Sequence, residues 1–270
     1  MSSEEMFSTS QDISTFLDTW LTNKFLTEAK QKVFDNYYAS YIAHFGSYIR
    51  YHYAQQTIEV LELAKNLESP KLLEVGCGCG TESLYFGLQG IDVTAVDIQD
   101  ELLGVARERK EIIENQLAKK LPCEFINSSV LELDTTKKYD IIWMEQAFHH
   151  LEPREKIIKK LSDLLSPGGY LVFSETSAWN PLIQLFLFRF RGFNTIIKSG
   201  DHIWGNERVL TPCGLSRALG KVKLATTSMR YFRTMPNIRL ADRLLEIDKA
   251  VPQLFFPLFT HYNLVAQKPA

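Results

Sequence analysis

The sequence predicts an α/β fold built on a mostly parallel, doubly wound sheet with helices on both faces. Three observations carry this. Apolar strand-like runs alternate with helical patterns from residue 71 to residue 175. The first run, Leu72-Leu73-Glu74-Val75, breaks into Gly76-Cys77-Gly78-Cys79-Gly80-Thr81 and resumes as a helix through Glu82, Leu84, Tyr85, Phe86 and Leu88. The second run, Ile91-Asp92-Val93-Thr94-Ala95-Val96-Asp97, sets a carboxylate about twenty residues past the first glycine, where a βαβ unit offers an acid to ribose hydroxyls.

Glycines in the first turn allow φ > 0 and let backbone N–H groups approach a ligand. The spacing is Gly76-x-Gly78-x-Gly80, not the G-x-G-x-x-G of a dinucleotide fold. Glu74 just ahead of the turn would repel a pyrophosphate and suits a cationic ligand. The run from Glu74 to Thr81, with Asp97, closely resembles motif I and the acidic loop of class I S-adenosylmethionine-dependent methyltransferases. That resemblance implies a seven-stranded Rossmann-like sheet. It also implies S-adenosyl-L-methionine as cofactor, with S-adenosyl-L-homocysteine as product. The ligand carries a sulfonium and an ammonium and no phosphate.

The 270 residues, 45% of them hydrophobic, suffice for one α/β domain with additions or for two small domains. A net charge of −2 gives no global basic field to draw nucleic acid. Four scattered cysteines, Cys77, Cys79, Cys123 and Cys213, lack a disulfide-framework spacing and read as reduced and cytosolic. No N-terminal segment has the order of a signal peptide, and no apolar run reaches the roughly 18 residues of a spanning helix.

Residues 1–69 read as a helical extension. Asp12 is a plausible N-cap for a helix through Ile13, Phe16, Leu17, Trp20 and Leu21. A second helix carries Val33, Phe34, Tyr37, Tyr38, Tyr41, Ile42 and Phe45 and ends at Gly46. A third runs from about Tyr51 to Leu67 and stops at Ser69-Pro70. The extension either packs on a sheet edge or closes its tyrosine face over the ligand, where a ring can sit against a sulfonium.

Residues 70–270 hold the remaining elements. A helix from about Asp100 to Lys119 leads to strand Cys123–Ile126, and Asp140–Met144 is the fourth strand. A helix from about Arg154 to Leu165 ends in Ser166-Pro167-Gly168-Gly169 before a fifth strand, Tyr170–Ser174. Residues 176–220 form a long insertion. A helix from about Thr211 to Leu219, a strand near Leu224–Phe232, a helix over Arg239–Ala250 and a last strand, Phe259–Gln267, complete the chain. The resemblance makes strands six and seven an antiparallel pair at the sheet edge.

Ligands of such sheets lie beyond the carboxyl ends of the strands. By the resemblance, Gly76, Cys77, Gly78 and Gly80 offer backbone to the methionine moiety, with Thr81 closing the run. Asp97 takes the ribose and Ile98 lies against adenine. Glu74 holds the loop, or the ammonium through water. Ser129, beside Val130, stands where the family often has an aspartate for the adenine amino group. Glu145 opens the run Glu145-Gln146-Ala147-Phe148-His149-His150-Leu151 after strand four, near the sulfonium and the acceptor. His149 or His150 is either a base for the acceptor's proton or a structural or capping residue. Glu175, ending strand five, is either substrate-facing or a cap or ion-pair partner.

Cys77-x-Cys79 lacks further partners at metal-ligand spacing, so no metal is expected. Nucleic-acid motifs after strand four are absent. The apolar run Leu182–Phe193, with Arg189 and Arg191, reads as a core helix, a lid over a hydrophobic acceptor pocket, or a peripheral membrane contact. The function expected is methyl transfer to a hydrophobic small molecule, aromatic, lipid or quinone-like, in the cytoplasm or at a membrane surface. The alternatives are a protein or RNA methyltransferase, or a binding module without catalysis.

Overall fold

The computed structural model describes Phe7, residues 12–185 and residues 209–270. Its seven strands run in the order β3-β2-β1-β4-β5-β7-β6. They are β1 (Lys71–Val75), β2 (Asp92–Asp97), β3 (Cys123–Asn127), β4 (Tyr139–Glu145), β5 (Leu165–Thr176), β6 (Ala225–Phe232) and β7 (His261–Gln267). The chain divides into two compact units, residues 1–132 with 237–244, and residues 133–236 with 245–270.

In the first unit β1 pairs with β2, and β2 with β3, all parallel. Leu72, Leu73, Glu74 and Val75 are buried in an unbroken run, as befits a strand covered on both faces. Helix α1 (Ile13–Thr22) starts on Asp12, whose carboxylate accepts the Thr15 N–H at 2.9 Å. Its buried residues Ile13, Phe16, Leu17 and Trp20 recur at helical spacing.

The second and third expected helices are each interrupted. The second splits into α2 (Glu28–Tyr37) and α3 (Ala39–Ala43) at Tyr38, whose buried hydroxyl is fixed to Thr81. Gly46 opens the next helix instead of closing that one: its backbone is extended, and it N-caps α4 (Ser47–Gln56). There Asp242 accepts the Tyr48 N–H at 2.9 Å and leaves no room for a side chain at residue 46. Thr57 separates α4 from α5 (Ile58–Lys65), its hydroxyl turned back to the Ala54 carbonyl at 3.5 Å. Helices α6 (Thr81–Leu88) and α7 (Asp100–Leu117) are the crossovers to β2 and β3.

In the second unit β4 and β5 are parallel, while β7 pairs antiparallel with both β5 and β6, as expected for the sheet edge. Helix α8 (Arg154–Leu164) ends before the Pro-Gly-Gly turn, which lies inside β5. Gly169 packs there against the carbonyls of Tyr139 and Asp140, where the β4–β5 register shifts. Thr211 N-caps α9 (Pro212–Gly220), accepting the Gly214 N–H at 3.1 Å.

The single helix expected over Arg239–Ala250 is two: α10 (Arg239–Arg243) in the first unit and α11 (Leu245–Lys249) in the second. Asp242 caps α4, whereas buried Asp248 accepts the Thr234 N–H at 2.9 Å. Of the apolar run at 182–193, only residues 182–185 are described. They continue a helical turn over 181–185, with Leu182 and Leu185 exposed. Arg189, Arg191 and Trp204 lie outside the described residues. Among the described residues no helix is long and apolar enough to cross a membrane.

Candidate functional site

The turn after β1 is shaped by its glycines. Gly76, Gly78 and Gly80 have φ of 79°, 50° and 72°, the left-handed region that other residues enter at a cost. The Gly76 and Cys77 N–H groups donate to the Val96 carbonyl at 2.8 and 3.2 Å, which hangs the loop on the end of β2. Gly80 closes the turn through the Cys77 carbonyl at 2.8 Å and begins α6. A β-carbon at Gly80 would lie 2.8 Å from both Ala106 and Phe125, so this position also needs glycine for packing.

Asp97 stands beside the loop at the end of β2. One carboxylate oxygen accepts the Gly78 N–H and the other the Gln99 N–H, both at 2.9 Å. A carboxylate offers about four acceptor positions, so two remain for hydroxyls of a bound nucleoside. Ile98 follows with 74% of its surface exposed, an apolar face next to the acid.

Glu74 is buried, and the Ser83 hydroxyl donates to it, tying the end of β1 to the first turn of α6. Thr81 is buried too. Its hydroxyl contacts the Tyr38 hydroxyl at 2.6 Å and accepts from Arg109 at 2.7 Å, leaving its backbone to the cradle. In the turn after β3, Val130 is buried, and the Ser129 hydroxyl accepts the Leu131 N–H at 3.3 Å.

Sequence reasoning missed Arg109. It is fully buried in α7, and its Nη1 donates to the Cys79 carbonyl at 2.8 Å as well as to Thr81. The guanidinium lies 4.5 Å from the Trp20 ring centroid and 5.3 Å from that of Phe34, so aromatic faces replace water around the cation. Burial lowers its pKa, and the neighbouring Tyr38, Cys79, Tyr53 and Glu82 act to raise it again. Burial also pushes the Glu82 carboxyl up, although the Tyr53 hydroxyl donates to it at 2.5 Å. A signal for Arg109 existed: it follows Leu102, Val105 and Ala106 and precedes Ile113 on the apolar face of α7.

The cysteines of the loop are buried thiols. Burial is the main cause that raises both, Cys79 to about 12. Among the described residues no three His, Cys, Asp or Glu side chains converge as a metal site. Two open depressions of about 590 and 680 Å³ line the N-terminal helices, but neither takes in a residue of the glycine loop.

The second unit holds the other candidates. Glu145 ends β4, half-buried and opposite Ser174 of β5. Glu175 is buried, with both oxygens engaged. One accepts the Ala147 and Phe148 N–H groups at 3.1 and 2.7 Å, and the other meets His149 Nδ1 at 2.7 Å. Glu175 thus caps the turn after β4 and pairs with His149. Against a carboxylate, which only accepts when ionised, a neutral imidazole carries its proton on Nδ1 and turns the Nε2 lone pair outward. The His150 ring packs on His149 with centroids 4.0 Å apart. Further along, Trp179 meets Phe256 edge-on at 5.6 Å, and Tyr231 lies 5.7 Å from Phe256.

A parallel sheet whose first strand ends in a positive-φ glycine loop, with a strand-end carboxylate on that loop, defines a nucleoside-binding α/β domain. The chemistry of the cradle, with carboxylates and backbone donors at the strand ends, fits a nucleoside without phosphates. A sequence profile described as a methyltransferase domain matches residues 73–171. A ubiquinone biosynthesis O-methyltransferase of Bordetella avium is 28% identical over 182 residues, 66% of this chain and 71% of that protein. One from Coxiella burnetii is 32% identical over 117 residues, 43% and 48% of the two chains. The solved structure of magnesium protoporphyrin IX methyltransferase from Synechocystis with bound S-adenosylhomocysteine superposes with a TM-score of 0.61. It is 17% identical, covering 95% of this chain and all of that one. Residues 73–171 thus carry the signature of a methyltransferase domain, on the fold of S-adenosylmethionine-dependent methyltransferases.

Proposed function

We propose that this enzyme methylates a hydroxyl group of a hydrophobic small molecule, aromatic or quinone-like, with His149 as general base. The observation that carries the reading is the His149–Glu175 pair, at 2.7 Å with Glu175 buried. When bound, S-adenosyl-L-methionine supplies an electrophilic methyl group on a sulfonium, open to in-line displacement. The loop residues Gly76, Cys77, Gly78 and Gly80 hold its methionine end by their backbone, and Asp97 holds the ribose through its two remaining acceptor positions. Ile98, Ser129 and Val130 border the adenine. Glu145, at the end of β4, is a further candidate for the cofactor.

His149 Nε2 would take the proton of the acceptor hydroxyl. Glu175 holds the ring in the required tautomer and stabilises the imidazolium that results. The O-methyltransferase names of the sequence relatives support oxygen as the acceptor atom. An apolar acceptor is supported by the Trp179–Phe256–Tyr231 cluster on the second unit and by the exposed Leu182 and Leu185 beside it in sequence.

The test is turnover of S-adenosylmethionine to S-adenosylhomocysteine with a panel of phenols and hydroquinones of rising apolar chain length. His149→Ala should cut kcat by about 10²–10⁴-fold with KM for the phenol little changed. Glu175→Gln should lower kcat by a smaller factor. Full activity in His149→Ala would overturn the base assignment, and no turnover with any phenol would overturn the acceptor class.

A further inference from the structure

We infer that Tyr37 belongs to the donor site, its ring forming the wall that meets the sulfonium; this rests on the nucleoside reading of the glycine loop. Tyr37 is the last residue of α2, and its phenol end stands directly over Gly78. A β-carbon at Gly78 would run into the Tyr37 hydroxyl and lie 2.8 Å from Cζ and 3.2 Å from Cε2. The middle glycine of the loop therefore serves two ends: it adopts φ of 50°, and it lets this ring come down onto the backbone.

The ring is held there by its neighbour. Tyr38 meets Tyr37 edge-on at 4.8 Å, is itself buried, and contacts the Thr81 hydroxyl at 2.6 Å. The end of α2 is thus pinned to the residue that follows the loop. Tyr37 nevertheless keeps 48% of its surface exposed, so its ring is not consumed by the core.

The position relative to the ligand follows from Asp97. The Gly78 N–H donates to the carboxylate that takes the ribose, at 2.9 Å. In the donor the sulfur is one methylene from the ribose ring, so a side chain resting on Gly78 is within reach of it. The negative face of a phenol ring attracts a sulfonium and has no comparable attraction for the neutral thioether of the product. Tyr37 accordingly favours substrate nucleoside over product nucleoside.

Calorimetry of the full chain with S-adenosylmethionine and S-adenosylhomocysteine tests this. Tyr37→Ala should shift the ratio of the two dissociation constants toward the product by about 3- to 30-fold. Tyr37→Phe, which keeps the ring, should hold the wild-type ratio within about threefold. An unchanged ratio in Tyr37→Ala would overturn the assignment, as would a Phe variant that loses as much as Ala. Failure of the wild-type chain to bind either nucleoside would sink the donor-site reading itself, a distinct result.

Discussion

The Arg109 guanidinium holds the carbonyl of Cys79 at 2.8 Å from the buried side of the glycine loop. Thirty residues apart in sequence, the two form one of the contacts that support the glycine loop. Substituting Arg109→Met keeps an apolar stem of similar length but leaves the Cys79 carbonyl and the Thr81 hydroxyl without that donor. Unfolding in urea should show a loss of about 2–5 kcal/mol, because buried polar groups are stranded. Affinity for S-adenosylmethionine should fall at least about tenfold. Arg109→Lys should rescue little, since an ammonium cannot reproduce the planar fork among the rings of Trp20 and Phe34. Wild-type stability in the Met variant would refute the structural role.

The ribose contact proposed for Asp97 is one that both nucleosides share. Asp97→Ala should weaken S-adenosylmethionine and S-adenosylhomocysteine alike, by about 10- to 100-fold. That is the opposite signature to Tyr37→Ala, which should separate them. Calorimetry on both variants distinguishes a ribose contact from a sulfonium contact, and unchanged affinities for Asp97→Ala would remove the acid from the site.

Stability should carry a pH signature from Glu82. Burial raises its carboxyl above the ordinary value of about 4.5. The folded chain therefore holds this proton more tightly than the unfolded chain does. Between the ordinary and the raised value the folded state binds the extra proton, so stability falls as pH rises through that window. Glu82→Gln keeps an acceptor for the Tyr53 hydroxyl and removes the titration. Urea midpoints at pH 5, 6 and 7 should fall more steeply with pH for wild type than for the variant; parallel profiles would contradict the assignment.

Thiol chemistry should divide the four cysteines. Cys77, Cys79 and Cys123 are buried and Cys213 is exposed. Burial raises all three inner thiols, Cys79 and Cys123 to about 12, so little thiolate forms at mild pH. Iodoacetamide at pH 8 should alkylate Cys213 alone in the native protein and all four cysteines in denaturant, as read by peptide mass spectrometry. Rapid native labelling of Cys79 would show that the loop opens.

The sequence was sufficient for what depends on local rules. Alternation of apolar strand-like runs with helical patterns set the strands β1 to β5, and three glycines at every second position pointed to a turn with φ > 0. Asp97 was legible because the length of a βαβ unit fixes where the second strand ends. The interruptions of the early helices were not legible. Tyr38 and Thr57 sit in continuous helical patterns and Gly46 reads as a helix end, whereas the boundaries there are tied to contacts with Thr81, the Ala54 carbonyl and Asp242.

The candidate site divides the same way. Its glycine loop and the strand-end acid Asp97 were fixed by the order of residues, since glycine torsions and strand length are properties of neighbouring positions. Tertiary structure alone decided that Arg109 lies under the loop, that Tyr37 lies over it, and that Glu175 turns inward to His149. Each of these pairs spans tens of residues along the chain. What brings such groups together is burial and the need to satisfy polar atoms away from water, which no local pattern encodes.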